Sequence, residues 1–115
     1  MSQARQILGA SGELVVAQWY ENNGYSVIGQ NWHCSEGEID LILRRGRTTV
    51  FCEVKTRTDD SFGAPVEAVN NNKQWKVRKS ATRWLTQVDA PMGGEIRFDV
   101  AAVNGDSVLV IEDAF

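Results

Sequence analysis

Apolar residues recur at helical spacing over residues 2–22, and the run stops at Asn23-Gly24, a C-terminal signal, so the first predicted element is an α-helix. Residues 25–31 read as a strand. Residues 38–45 alternate, with Ile39, Leu41 and Leu43 to one side, and residues 48–57 alternate with Val50, Cys52 and Val54 to one side. Gly46-Arg47 between them is the Gly-X pair of a type II′ hairpin turn. A loop over 58–64 leads into a helical region over 65–88, with Asn70-Asn71-Asn72 as a break and new cap. Residues 96–103 and 107–112 form a second hairpin turned at Asn104-Gly105-Asp106. The order α-β-β-β-α-β-β predicts an α/β fold, a mixed five-stranded sheet with flanking helices. At 115 residues the chain has room for one core, so a single domain over 1–115 is expected.

No purely apolar run exceeds four residues, which excludes a membrane-spanning helix and a secretory leader and leads to a cytoplasmic expectation. Hydrophobic residues at 43% and charged residues at 23% exclude a disordered chain. Two cysteines, Cys34 and Cys52, and one histidine, His33, are too few for a disulfide framework or a Cys/His zinc site. The net charge of −3 argues against a nucleic-acid partner until it is divided by region. Residues 44–88 hold ten bases against four acids, a net of +6, which leaves −9 for the rest.

The hairpin register can be read from its turn. A two-residue loop pairs Arg45 with Thr48, which sets Asp40 opposite Glu53 and Glu38 opposite Lys55, on one face and roughly 5 Å apart at Cβ. Opposed carboxylates repel unless a cation lies between them, and a hard ion such as Mg²⁺ or Mn²⁺ held by one or two carboxylates is the simplest solution. Lys55 points to the same side as Glu53 and can reach a water or a phosphate oxygen there. The plain alternative is a solvated strand face of Glu/Lys pairs. On the first helix, the 3.6-residue period gathers Ala10, Leu14, Ala17, Tyr20 and Val16 along one continuous arc. Glu13 falls inside that apolar arc, between Ala17 and Tyr20 in projection, and needs a partner. It is either a structural acid paired with an Arg or a third acid facing Asp40 and Glu53.

On the second long helix, Val77, Ala81, Trp84, Leu85 and Val88 form the core face, with Lys76, Lys79 and Arg83 as a basic stripe opposite and Trp75 beside it. Such a stripe is either a solvated face or a surface for phosphate contacts and base stacking. His33 and Cys34 fall in a loop before Glu38, and Cys52 packs in the core. Asp99, opposite in face to Phe98 and Val100, would hold Arg97 or a loop backbone, at most in support of the site.

Asp40 followed by Glu53-Val54-Lys55 across a hairpin resembles the D…E-x-K signature of restriction-endonuclease-like nucleases. Gly12-Glu13, Gly24-Tyr25, residues 37–42, residues 51–57, residues 63–69, Lys73 and Arg97-Phe98-Asp99-Val100 stand in the order seen in the bacterial YraN-like family (UPF0102), so nearly the whole chain is similar to it. The likeness extends to archaeal Holliday-junction resolvases, whose helix-borne Glu corresponds to Glu13. What this implies is a Mg²⁺-dependent (or Mn²⁺-dependent) endonuclease, with branched DNA as one substrate class and DNA ahead of RNA. Asp40 and Glu53 would hold the metal, and Glu13 would add a ligand or position a water. Lys55 would orient that water or stabilise the transition state, and Glu38 would neutralise Lys55 at rest. Arg57, Lys73, Lys76, Lys79 and Arg83 would hold backbone phosphates. A homodimer would supply the two sites that cutting both strands needs. The rival expectation is a non-catalytic nucleic-acid-binding module on the same fold, and a structural interaction protein is the third.

Overall fold

A computed structural model describes residues 2–56, 69–88 and 94–115, with side chains from residue 12 onward. Helix α1 (Ser2–Asn22) is followed by strands β1 (Ser26–Cys34), β2 (Gly37–Arg45) and β3 (Thr48–Thr56), helix α2 (Asn71–Gln87) and strands β4 (Glu95–Asn104) and β5 (Ser107–Ile111). The five strands form one sheet in the order β1-β2-β3-β4-β5, parallel between β3 and β4 and antiparallel elsewhere. This is the expected α/β architecture in the expected element order. The single parallel pair exists because α2 carries the chain from the end of β3 back to the start of β4.

Local chemistry explains the boundaries. Gly46 takes φ +60° in the two-residue turn that pairs Arg45 with Thr48. Gly105, at φ +62°, does the same where Asn104 pairs with Ser107. Asn70 caps α2, its side chain accepting the backbone N–H of Lys73 at 2.9 Å, which realises the break and new cap expected at the asparagine run. The loop over 58–64 and the start of the helical region over 65–68 lie outside the described residues.

Each face of the sheet is covered by a helix. On the α1 side, Val16, Ala17 and Tyr20 pack with Leu41, Leu43, Val50, Cys52, Ala101 and Val103. On the α2 side, Ala81 and Trp84 pack with Ile39, Ile42 and Phe51. Phe51 meets Trp84 edge-on at 5.8 Å and stacks on Phe98 at 5.7 Å.

The expected face assignments change in four places. Ile39 joins the α2-side cluster although Leu41 joins the α1 side, so strict alternation breaks at Asp40. The β2–β3 ladder ends at Leu41–Cys52 while β2 continues paired to β1, and a two-stranded ribbon twists more than a full sheet. Leu14 is 61% exposed rather than in the core, because the buried arc of α1 centres on Tyr20 and not on Ala10. Val88, 46% exposed, is the C-cap of α2 and lies past its buried face. His33 and Cys34 are strand residues, since β1 runs on to Cys34 and turns at Ser35-Glu36.

Candidate functional site

Just past the last β2–β3 ladder pair stand Asp40 and Glu53. Oδ2 of Asp40 accepts the backbone N–H of Val54 at 2.9 Å, so the carboxylate takes over where strand pairing stops. Glu53 is 2% exposed, on the α2 side with Phe51, so the polar face of the hairpin is covered at Glu53 although Glu38 remains exposed. Among the described residues Oε1 of Glu53 has no hydrogen-bond partner, and Oε2 lies 3.7 Å from Nζ of Lys73.

The electrostatics follow from burial. Glu53 has its pKa pushed up to about 7, by desolvation first and then by the neighbouring Asp40, against the pull of Lys73 and Lys55. Asp40 is also raised, by desolvation and by Glu38, with the Val54 N–H, Lys73 and Lys55 opposing. Glu13 is raised by burial, partly offset by its hydrogen bond from Asn31, with smaller contributions from Asp40 and Glu38. Four acids and two lysines therefore share one electrostatic neighbourhood.

The expected residues are not all assembled alike. Lys55 is half-buried on β3, within the field of both Asp40 and Glu53. Glu13 faces the cluster, but its Oε2 accepts from Nδ2 of Asn31 at 2.9 Å. Among the described residues no three acidic, histidine or cysteine side chains come together closely enough to enclose a metal ion, so Glu13 is not brought in as a third ligand. Gly12 brings α1 close to the end of β3, where a Cβ would lie 2.6 Å from Oγ1 of Thr56. Glu38 pairs with His33 across β1–β2, with Nδ1 of His33 at 3.3 Å, instead of with Lys55. That correction follows from the same early end of the β2–β3 ladder.

Asp99 supports the fold and not the acid cluster. It is fully buried and accepts from Tyr20 Oη at 2.6 Å, from Arg97 Nε at 2.8 Å and from the Asp113 backbone N–H at 3.1 Å. Both expected partners are present, Arg97 and a loop backbone. Tyr20 is the partner that sequence reasoning missed, although a tyrosine on a buried arc requires a partner for its hydroxyl.

The basic stripe divides. Lys76, Lys79 and Trp75 are exposed, with Nζ of Lys79 5.4 Å from the Trp75 ring centre. Arg83 is engaged by Glu36, at 2.6 Å from Nε to Oε1 and 3.1 Å from Nη2 to Oε2. Lys73 belongs to the acid site through Glu53 and not to the outer stripe. Arg57 lies outside the described residues.

Beside the acids, His33, Gly37, Glu38, Lys73, Lys76 and Val77 line an open groove of about 380 Å³. No helix among the described residues is long and apolar enough to cross a membrane.

The family model described as "Uncharacterised protein family UPF0102" matches residues 12–103, which include Asp40, Glu53, Lys55 and Lys73. The chain belongs to the UPF0102 family. It is 46% identical over 101 residues to a UPF0102 protein of Beutenbergia cavernae, covering 88% of this chain and 85% of the relative. It is 44% identical over 99 residues to one of Nocardia farcinica, covering 86% and 77% respectively. A UPF0102 protein of Acidothermus cellulolyticus is 37% identical over 128 residues, covering 99% of this chain and 97% of the relative.

Proposed function

We propose that this UPF0102 protein is a divalent-metal-dependent phosphodiester hydrolase of nucleic acid, DNA ahead of RNA, built on a restriction-endonuclease-like sheet. The observation that carries the reading is the buried Glu53 carboxylate beside Asp40, with one oxygen unpartnered and Lys55 two residues along. A like-charged pair with one member buried and the other half-buried costs stability, and a fold that only needed packing would place apolar side chains there.

The residues fit a hard cation. Two carboxylates with open solvent nearby suit Mg²⁺ or Mn²⁺, ions that keep several waters and share the rest of their shell with a substrate phosphate. Asp40 and Glu53 would hold the ion, which when bound polarises the phosphate and acidifies water. Lys55 would donate to a non-bridging phosphate oxygen and offset charge developing in the transition state. Glu13, held by Asn31, would orient a water at the α1 side of the pair. Lys76, Lys79 and Arg57 would hold flanking phosphates. The reading puts the protein in the cytoplasm with its substrate.

The test is incubation of the protein with labelled branched, duplex and single-stranded DNA and RNA in Mg²⁺, Mn²⁺ or EDTA. Product should require the ion and vanish in Asp40→Asn and Lys55→Ala variants that remain folded. Wild-type cleavage by both variants overturns the mechanism.

One observation favours a second reading, a non-catalytic binding module. Lys73 already compensates Glu53 internally. That module would bind nucleic acid equally well in EDTA and yield no product with any substrate.

A further inference from the structure

Lys73 reaches Glu53 at 3.7 Å, beyond the usual N–H···O range of about 2.7–3.2 Å, so the contact is Coulombic and not a fixed hydrogen bond. Its backbone is anchored, because the N–H is bound by the Asn70 cap in the first turn of α2. Its side chain is not. The Lys73 side chain is 34% exposed against 3% for that of Glu53, and Lys73 lines the same groove as His33, Glu38 and Lys76. The ammonium thus stands at the boundary between an acid pair, buried at Glu53 and half-buried at Asp40, and an open groove lined by Lys76, His33 and Glu38.

We propose that Lys73 is a placeholder cation for the Asp40–Glu53 pair, displaced by a divalent ion into the groove beside Lys76, where it completes a binding site for the phosphodiester backbone. The inference rests on the metal-dependent reading above and adds an order of events to it. An ion at the carboxylates and an ammonium at the same carboxylate repel each other strongly in a partly buried site. The lysine has a flexible four-carbon stem, an anchored backbone and one open direction, so repulsion drives it into the groove. Glu38 in that groove is already engaged by His33, so two ammonium groups there leave excess positive charge, and a backbone phosphate is the anion that offsets it. Metal and nucleic acid should therefore favour each other's binding, and the coupling must be reciprocal.

The test uses the full chain in a Lys55→Ala background, which prevents turnover, with and without Lys73→Met. Mn²⁺ affinity is read by electron paramagnetic resonance of the free ion. Fluorescein-labelled single-stranded DNA is titrated by anisotropy in Mn²⁺ and in EDTA. Lys73→Met should tighten Mn²⁺ binding by about fivefold or more and abolish the gain in DNA affinity that Mn²⁺ gives the parent. Lys73→Arg, a second variant that keeps the charge, should retain that gain. Equal Mn²⁺ affinity with and without Lys73 overturns the placeholder role while leaving the metal site standing. Absence of Mn²⁺ binding in every variant overturns both.

Discussion

The hydroxyl of Tyr20 donates a 2.6 Å hydrogen bond to Oδ2 of Asp99, joining α1 to β4 across 79 positions of sequence in the buried α1-side layer. Arg97 binds the same carboxylate through Nε and Nη2 and touches the Tyr25 hydroxyl at 3.0 Å. This buried charge is fully compensated, and its removal should be far more costly than loss of one donor. Asp99→Ala, which leaves Arg97 at 13% exposure with only the half-exposed Glu112 at 3.5 Å as an acidic partner, should lower stability by about 3 kcal/mol or more. Tyr20→Phe should cost about 1.5–3 kcal/mol, since Asp99 keeps its other donors. Urea unfolding followed by circular dichroism measures both. Equal costs for the two would show that the arginine pair contributes little.

Glu53 gives the metal-free protein a pH dependence of stability whose sign is set by the raised pKa. Its pKa is about 7 folded and 4.5 unfolded, so between those values the folded state binds more protons. Stability from this group is therefore greatest below pH 4.5 and falls as pH rises toward 7. Glu53→Gln should remove that decline and leave the protein more stable than wild type at pH 8, by about 1–3 kcal/mol. Thermal melts across pH in EDTA test this. A Gln variant less stable than wild type at pH 8 would show that the carboxylate is compensated better than its open Oε1 indicates.

Much of this is legible from residues alone. Gly46 dictates a two-residue turn, and a two-residue turn fixes register, so the run from Arg45–Thr48 to Leu41–Cys52 follows without tertiary knowledge. Alternation, however, says only which residues share a side, never what covers that side. Sequence reasoning therefore sets Glu53 correctly at Asp40's end of the hairpin but leaves its burial open, because nothing in the strand shows that α2 lies over it. The same gap hides Lys73. A helical wheel orders residues around one axis but leaves the helix free to rotate against the sheet, so the lysine at the edge of the core face cannot be told from the stripe. Ile39 escapes because the local twist where the β2–β3 ladder ends overrides the period of two. Arg83 escapes because its partner, Glu36, sits in a turn 47 positions away.

Gly12 offers a test of how closely α1 must approach β3. An exposed helical glycine changed to alanine gains about 1 kcal/mol. Here the new methyl would stand 2.6 Å from Oγ1 of Thr56, a contact that neither side chain can keep. Gly12→Ala should therefore forfeit that gain and be destabilising by about 1 kcal/mol at most, the cost of turning the exposed Thr56 hydroxyl away. Thr56→Gly, which removes the obstructing hydroxyl, should restore most of that loss in the double variant. The four proteins form a double-mutant cycle read by urea midpoints. Additive costs would mean that α1 shifts freely and that the approach places no demand on Glu13.

If the proposed nucleic-acid contacts are made, the divided stripe on α2 makes its cations unequal in binding. Lys76 is exposed and lines the groove, whereas Arg83 is already committed to Glu36 at 2.6 Å. Each phosphate contact by a free cation adds close to one unit to the slope of log affinity against log salt. Lys76→Ala should therefore flatten that slope by about one, and Arg83→Ala should leave it nearly unchanged. Glu36→Gln goes the other way: it frees the guanidinium for a phosphate and should both tighten binding and steepen the slope. Anisotropy titrations of labelled DNA between about 50 and 200 mM KCl separate these outcomes. If Arg83→Ala flattens the slope as much as Lys76→Ala, the ion pair with Glu36 opens on binding and does not hold Arg83 in reserve.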